Sequence, residues 1–174
     1  MRRVLIIGGN GSGKTTMARI LAERVGLPLC HLDSLYWTDN WKPRGRVEFL
    51  ELLDAELNKP EWILDGNMRS TLSHRLEYCD TVIYLDFSGI LCFFGALSRV
   101  LKNRGRARAD MGCECVEWLD MRTMRFVFGT LSFNRKNRKS FYSQIAEHPG
   151  VRLIVLKNRR EVKKFLDSVG GADN

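Results

Sequence analysis

Residues 3–16 read "RVLIIGGNGSGKTT". A short apolar run, Val4 to Ile7, breaks into Gly8, Gly9, Gly11 and Gly13 and then into Lys14, Thr15 and Thr16. An ordinary connecting turn needs one or two glycines, and this one leaves its backbone amides uncovered by side chains. The spacing is that of a phosphate loop, G-x-x-x-x-G-K-[ST], at Gly8, Gly13, Lys14 and Thr15. In the following "KTTMARILAERVG", Met17, Ile20, Leu21 and Val25 recur at helical spacing, so a strand leads into the loop and a helix leaves it. Main-chain N–H groups of Gly8, Gly9, Asn10, Gly11, Ser12 and Gly13 would then ring a polyphosphate. The helix dipole adds to that field from the Thr15–Thr16 end. Lys14 would reach the β- and γ-phosphates and the Thr15 hydroxyl a Mg²⁺ ion, so ATP with Mg²⁺ is the expected nucleotide. A dinucleotide fold shares the G-x-G spacing but has no use for the Lys-Thr pair.

Working outward, apolar β-rich runs alternate with helical patterns. "LPLCHLD" (27–33), "EWILDGN" (61–67), "TVIYLDF" (81–87) and "VRLIVL" (151–156) read as strands. "VEFLELLDAELNK" (47–59), "STLSHRLEYC" with Ser70 as its cap, "SGILCFFGALSRVLKNR" (88–104) and "NRREVKKFLDSVG" read as helices. Strands alternating with helices imply parallel pairing, because a parallel crossover needs a helix-length connection. The expectation is one α/β domain: a P-loop three-layer sandwich on a five-stranded parallel sheet. Residues 104–140 break the alternation and are expected to form a lid insertion, with "LDMRTMRFVFGTL" helical inside it.

The totals bound the rest. At 174 residues, 44% of them hydrophobic, the chain makes a single soluble domain with a real core. The longest apolar candidate, "GILCFFGAL", is too short to span a bilayer. Five cysteines in no framework spacing fit a reducing, cytoplasmic setting. Of the net +8, +7 falls between Arg99 and Lys139, which carry 11 of the 28 Lys/Arg and 4 of the 20 Asp/Glu. The segment reads as a local anion site or as a solvated basic face.

Three aspartates end strand patterns: Asp33, Asp65 and Asp86. In an open parallel sheet all three point to the carboxyl edge, where the phosphate loop lies. Asp65 suits a magnesium contact. Asp33 suits acceptor binding or service as a base toward a hydroxyl. Asp86 equally suits a cap on the helix that starts near Ser88.

With these residues in place, the chain resembles the adenylate-kinase-like P-loop proteins, and within them the group called DNA topology modulation proteins. The likeness rests on the phosphate loop, "LPLCHLDSLYW" (27–37), "WILDGN" (62–67), "TVIYLDF" (81–87), "SRVLKNRGRARADMG" (98–112) and "LKNRREVKKFL" (156–166). It implies strand order 2-3-1-4-5, an acceptor region over 33–60 and an arginine-bearing lid. It puts Arg69, from "DGNMR", on the acceptor. Arg99, Arg104, Arg106 and Arg108 become candidates to clamp the transferring phosphoryl group, and Lys157–Arg159 would lie near the adenine. Phosphoryl transfer asks mainly for positioning and charge neutralisation, which such arginines supply. The implied activity is a kinase. "LDSLYW" departs from the "STGD"-like segment of monophosphate kinases: a carboxylate there repels a phosphorylated acceptor and suits a nucleoside or another hydroxyl-bearing metabolite. Tyr36, Trp37 and Trp41 either stack on the acceptor or pack.

Cys113 and Cys115 form C-x-C without the second pair that zinc requires, so free thiols are expected. His31, His74 and His148 show no ligand spacing. "FNRKNRKSFYSQ" (133–144) interleaves basic and aromatic residues, as nucleic-acid surfaces do, or is an exposed basic helix face. No DNA-reading motif accompanies it. The alternative function is a nucleotide-binding regulator of DNA topology acting through 99–139. A monomer is the default for a chain of this kind.

Overall fold

A computed structural model of the chain describes residues 1–105, 113, 115, 116 and 118–169. Five strands form one parallel sheet: β1 (Arg3–Gly8), β2 (Leu29–His31), β5 (Trp62–Asp65), β6 (Thr81–Leu85) and β7 (Arg152–Leu156). Their order is β2-β5-β1-β6-β7. Counted along the chain, this is the expected 2-3-1-4-5. A second, two-stranded antiparallel ribbon pairs β3 (Trp37–Thr38) with β4 (Lys42–Pro43), with Asn40 and Trp41 in the left-handed region at its turn.

Alternation along the central strand sorts the core into two layers. Leu5 and Ile7 face α3 (Arg46–Leu57), α4 (Leu72–Tyr78) and the C-terminal part of α6 (Met121–Ala146), packing with Leu53, Leu72, Phe141 and Ile145. Val4 and Ile6 face α1 (Lys14–Val25) and α7 (Arg159–Val169), packing with Met17, Leu21 and Leu166. Strands buried on both faces explain the unbroken apolar runs in the sequence.

Several expectations are corrected at the element ends. Asp33 is not on a strand: β2 stops at His31, and Asp33 sits in the first turn of the short α2 (Leu32–Tyr36). Ser70 caps nothing; it lies within a 3-10 turn, Arg69–Thr71, that precedes α4. The helix after β6, α5 (Gly89–Lys102), is capped by Ser88, whose side chain accepts the Leu91 amide, and not by Asp86. Within 104–140, residues from Met121 onward belong to one 26-residue helix, α6, that continues to Ala146 and into the core. Its first half pairs with α5, where the Leu131 backbone lies against Gly89. Both helices touch the phosphate loop, through Cys92 and Ala96 of α5 and Asn134 of α6. No helix among the described residues is long and apolar enough to cross a membrane.

Candidate active site

The loop between β1 and α1 is seated on α5 by backbone-to-backbone contact. Gly11 has φ +83°, and a side-chain carbon there would meet the Cys92 carbonyl and the Ala96 amide. A carbon on Gly95 would meet the Gly11 carbonyl in return. Two glycines therefore let helix and loop touch where any larger residue would part them. The Ser12 amide donates to the Gly9 carbonyl at 3.1 Å, and the Gly8 amide donates to Asn67 Oδ1 at 2.9 Å. Among the described residues no acceptor takes the amides of Gly13, Lys14, Thr15 or Thr16. These N–H groups at the head of α1 are the unsatisfied donors that anion sites use.

Lys14 folds back over the loop, donating to the Gly8 and Gly9 carbonyls at 3.0 and 3.1 Å. Burial lowers its pKa below the ordinary lysine value, the nearby Asp65 and Asp33 carboxylates oppose that shift, and Arg99 adds to it. Asp33, Asp65 and Arg99, far apart in the sequence, thus all bear on the charge of one lysine. Arg99 does so from α5, with its guanidinium 5.6 Å from the centre of the Phe126 ring.

Asp65 ends β5 and is 5% exposed. The Thr15 hydroxyl donates to its Oδ2 at 2.8 Å. His31 Nδ1 lies 3.2 Å from the same oxygen and, facing a carboxylate that only accepts, is the donor. Asp65 Oδ1 is buried and makes no hydrogen bond among the described residues. An orphaned carboxylate oxygen next to a threonine hydroxyl fits the oxygen-only preference of Mg²⁺, so Thr15 and Asp65 are the groups that could hold that ion.

The remaining predicted residues fall on the rim. Trp37 is half-buried and packs edge-on against Tyr36 and Trp41, with ring centres 4.8 and 5.8 Å away. Arg69 is exposed and donates to Asn137 Oδ1 on α6 at 2.6 Å. Arg159 borders a cleft of about 320 Å³ that runs from Ser12, Gly13 and Thr16 along Met17, Ile20, Phe87 and Val162. A larger hollow of about 420 Å³, lined by Phe94, Leu97 and Leu101, lies on the outer side of α5 and carries none of this chemistry. Arg104 is exposed just beyond α5, while Arg106 and Arg108 lie outside the described residues. Asp86 is tied to Arg138, which donates from Nε and Nη2 at 3.0 and 2.9 Å, so part of the basic 133–144 run is engaged inside the molecule.

Four residues escaped the sequence reading: His31, Asn67, Arg75 and Asn137. For His31 a signal existed, since it stands opposite Asp65 in the β2–β5 register. Arg75 is fully buried on α4 and donates to the carbonyls of Gly66, Asn67, Met68 and Thr71 at 2.9–3.3 Å. It holds the loop that carries Asn67 to the Gly8 amide and Arg69 to α6. Burial lowers its pKa to about 10, so it stays charged at neutral pH.

The five-stranded parallel α/β fold is similar to that of solved shikimate kinases. The chain is similar to a shikimate kinase from Acinetobacter baumannii solved in complex with shikimate, at 16% identity and a TM-score of 0.62 over 97% of this chain and 90% of that one. It is also similar to a shikimate kinase from Bacteroides thetaiotaomicron, at 16% identity and a TM-score of 0.53 over 97% of this chain and 95% of that one. No protein-family model and no curated protein sequence matches the chain.

Proposed function

We propose that the chain is an ATP-dependent phosphotransferase that moves the γ-phosphoryl group to a hydroxyl of a small acceptor. The observation that carries this reading is the conjunction at the head of α1: uncommitted amides, Lys14 parked on two loop carbonyls, and Thr15 bonded to an Asp65 whose other oxygen is an orphan. In this reading Lys14 leaves the Gly8 and Gly9 carbonyls to pair with the β- and γ-phosphates. The amides of Gly13 to Thr16 hold the phosphate oxygens without reorganising. Mg²⁺, when bound, neutralises charge on the phosphates and orients them. The cleft beside Arg159 takes the base and sugar.

Asp33 accepts the proton of the acceptor hydroxyl as its oxygen bonds to the γ-phosphorus and the bond to the diphosphate breaks. A carboxylate beside the phosphate site disfavours an acceptor already phosphorylated there, so the class is a nucleoside or a polyhydroxylated metabolite. The shikimate that the Acinetobacter kinase holds is of the latter kind. Tyr36, Trp37 and Trp41 line the acceptor side, and Arg99 and Arg104 supply positive charge to the transferring group.

The test is a labelled-ATP screen against nucleosides and hydroxylated metabolites, with a no-acceptor control and Lys14→Ala in parallel. Transfer to one acceptor class, abolished in a Lys14→Ala protein with wild-type circular dichroism, is expected. Full transfer by that variant refutes the reading.

A further inference from the structure

Outside the site, the chain brings two thiols together. Cys115 is 0% exposed and its thiol donates to the Thr38 carbonyl at 3.3 Å. Cys113 is half-buried, and its Sγ lies 2.6 Å from the Cys115 Sγ. The backbones of the two residues are also joined: the Cys115 amide donates to the Cys113 carbonyl at 2.8 Å. The pair is fastened to the β3–β4 ribbon, since the next carbonyl, that of Val116, accepts from Trp41 Nε1 at 2.9 Å. The other three cysteines, Cys30, Cys79 and Cys92, are not paired with one another among the described residues. Among the described residues no third metal-ligating side chain joins the C-x-C pair. The pair does have the geometry of thiol–disulfide exchange, because a half-buried cysteine and a buried one hold their sulfurs against each other.

We propose that Cys113 and Cys115 are a redox-active dithiol that a disulfide oxidant, such as oxidised glutathione, closes into an intramolecular disulfide. The Cys113 thiolate attacks one sulfur of the oxidant, forming a mixed disulfide and releasing one glutathione thiolate. Cys115 gives up its proton and attacks the Cys113 sulfur, forming the internal S–S bond and expelling the second glutathione thiolate. Two protein thiols are oxidised and one oxidant disulfide is reduced to two thiols. The product has no S–H, so the Thr38 carbonyl loses its donor and the pair loosens from the ribbon that holds Trp37 and Trp41. Any control of phosphoryl transfer rests on the proposed kinase reading; the disulfide itself does not.

The experiment counts thiols and so is independent of transfer activity. The full chain is equilibrated in glutathione buffers of rising oxidised fraction, quenched in acid, unfolded, alkylated and weighed. Two of the five thiols are expected to disappear together. No glutathione mass is retained, the bridge maps to the peptide holding Cys113 and Cys115, and dithiothreitol restores all five. Cys115→Ser is expected to accumulate glutathione on Cys113, since the resolving sulfur is gone. Retention of glutathione on Cys113 in the wild-type chain, or five alkylated thiols across the whole range, overturns the proposal. Mapping the wild-type peptide decides the matter even if the variant does not fold.

Discussion

Replacing Arg75 with methionine tests whether one buried cation holds the loop after β5. The side chain is 0% exposed and all four of its acceptors are backbone carbonyls, those of Gly66, Asn67, Met68 and Thr71. Charge-assisted hydrogen bonds contribute about 1.5–3 kcal/mol each, so the gross loss is about 6–12 kcal/mol. Against that stands the cost of keeping a guanidinium out of water, several kcal/mol, which methionine removes. The buried carbonyls left without donors set the balance, and the net destabilisation is about 3–5 kcal/mol. With a urea slope of about 2 kcal/mol per molar, the unfolding midpoint falls by about 1.5–2.5 M.

Arg75→Lys retains the charge but not the fork. The Gly66 carbonyl takes Nη1 while those of Asn67 and Met68 share Nη2, an arrangement a single ammonium cannot reproduce. Its midpoint is expected between wild type and methionine. Nucleotide affinity is expected to fall with it, because the same loop delivers Asn67 Oδ1 to the Gly8 amide. A midpoint shift under about 0.5 M for Arg75→Met, with an unchanged slope, refutes the reasoning: the loop would then be held by its other contacts.

Gly11→Ala puts a methyl into the Cys92 carbonyl and the Ala96 amide at φ +83°. A strain of about 1–3 kcal/mol is expected to weaken ATP binding about tenfold or more by calorimetry, with far less effect for Gly129→Ala, where the added carbon has open space. Asp33→Asn is expected to slow transfer by about 10²–10⁴-fold while leaving the dissociation constant for ATP unchanged; equal loss in both would make Asp33 a binding group instead of a base. Burial pushes the Cys30 and Cys79 thiols up to about 12, so iodoacetamide at pH 8 is expected to spare both in the folded chain. Because folding favours their neutral forms, their contribution to stability is complete below the unfolded thiol value of about 8.5. It is lost as pH rises from there toward 12, a decline that urea midpoints at pH 8 and pH 10.5 measure.

The strands and the phosphate loop were legible because their signals are local. Four consecutive apolar residues before a glycine loop need no tertiary knowledge, and the strand order followed from the resemblance they anchor. The boundaries that moved depend on partners distant in sequence. "FNRKNRKSFYSQ" looked like surface because its basic residues dominate any window, yet Asn134, Asn137 and Phe141 lie within it and are buried. The apolar signal there is diluted by amides that are buried because they have jobs: Asn134 donates to the Phe87 carbonyl at 2.6 Å and Asn137 accepts from Arg69. Arg75 was invisible for a related reason. A buried arginine normally announces a carboxylate partner, and this one is satisfied by carbonyls, which every sequence has.

The three aspartates that end strand patterns in the sequence show what local reading leaves open. Asp86 is bound by Arg138 in two hydrogen bonds, so its charge is spent inside the molecule. Asp65 receives Thr15 and His31 on one oxygen and keeps the other unpartnered, a state that burial makes costly unless something binds there. Asp33, moved off the strand into the first turn of α2, remains half-buried and near enough to Lys14 to influence its pKa. One residue type thus takes different electrostatic settings, decided by what the helices bring. α6 brings a cation to Asp86. α1 brings a hydroxyl to Asp65 and leaves one oxygen open, and Asp33 rides on α2 itself. Division of labour among the carboxylates is therefore a property of helix placement, and substituting Arg138 would deprive Asp86 of the cation that α6 supplies.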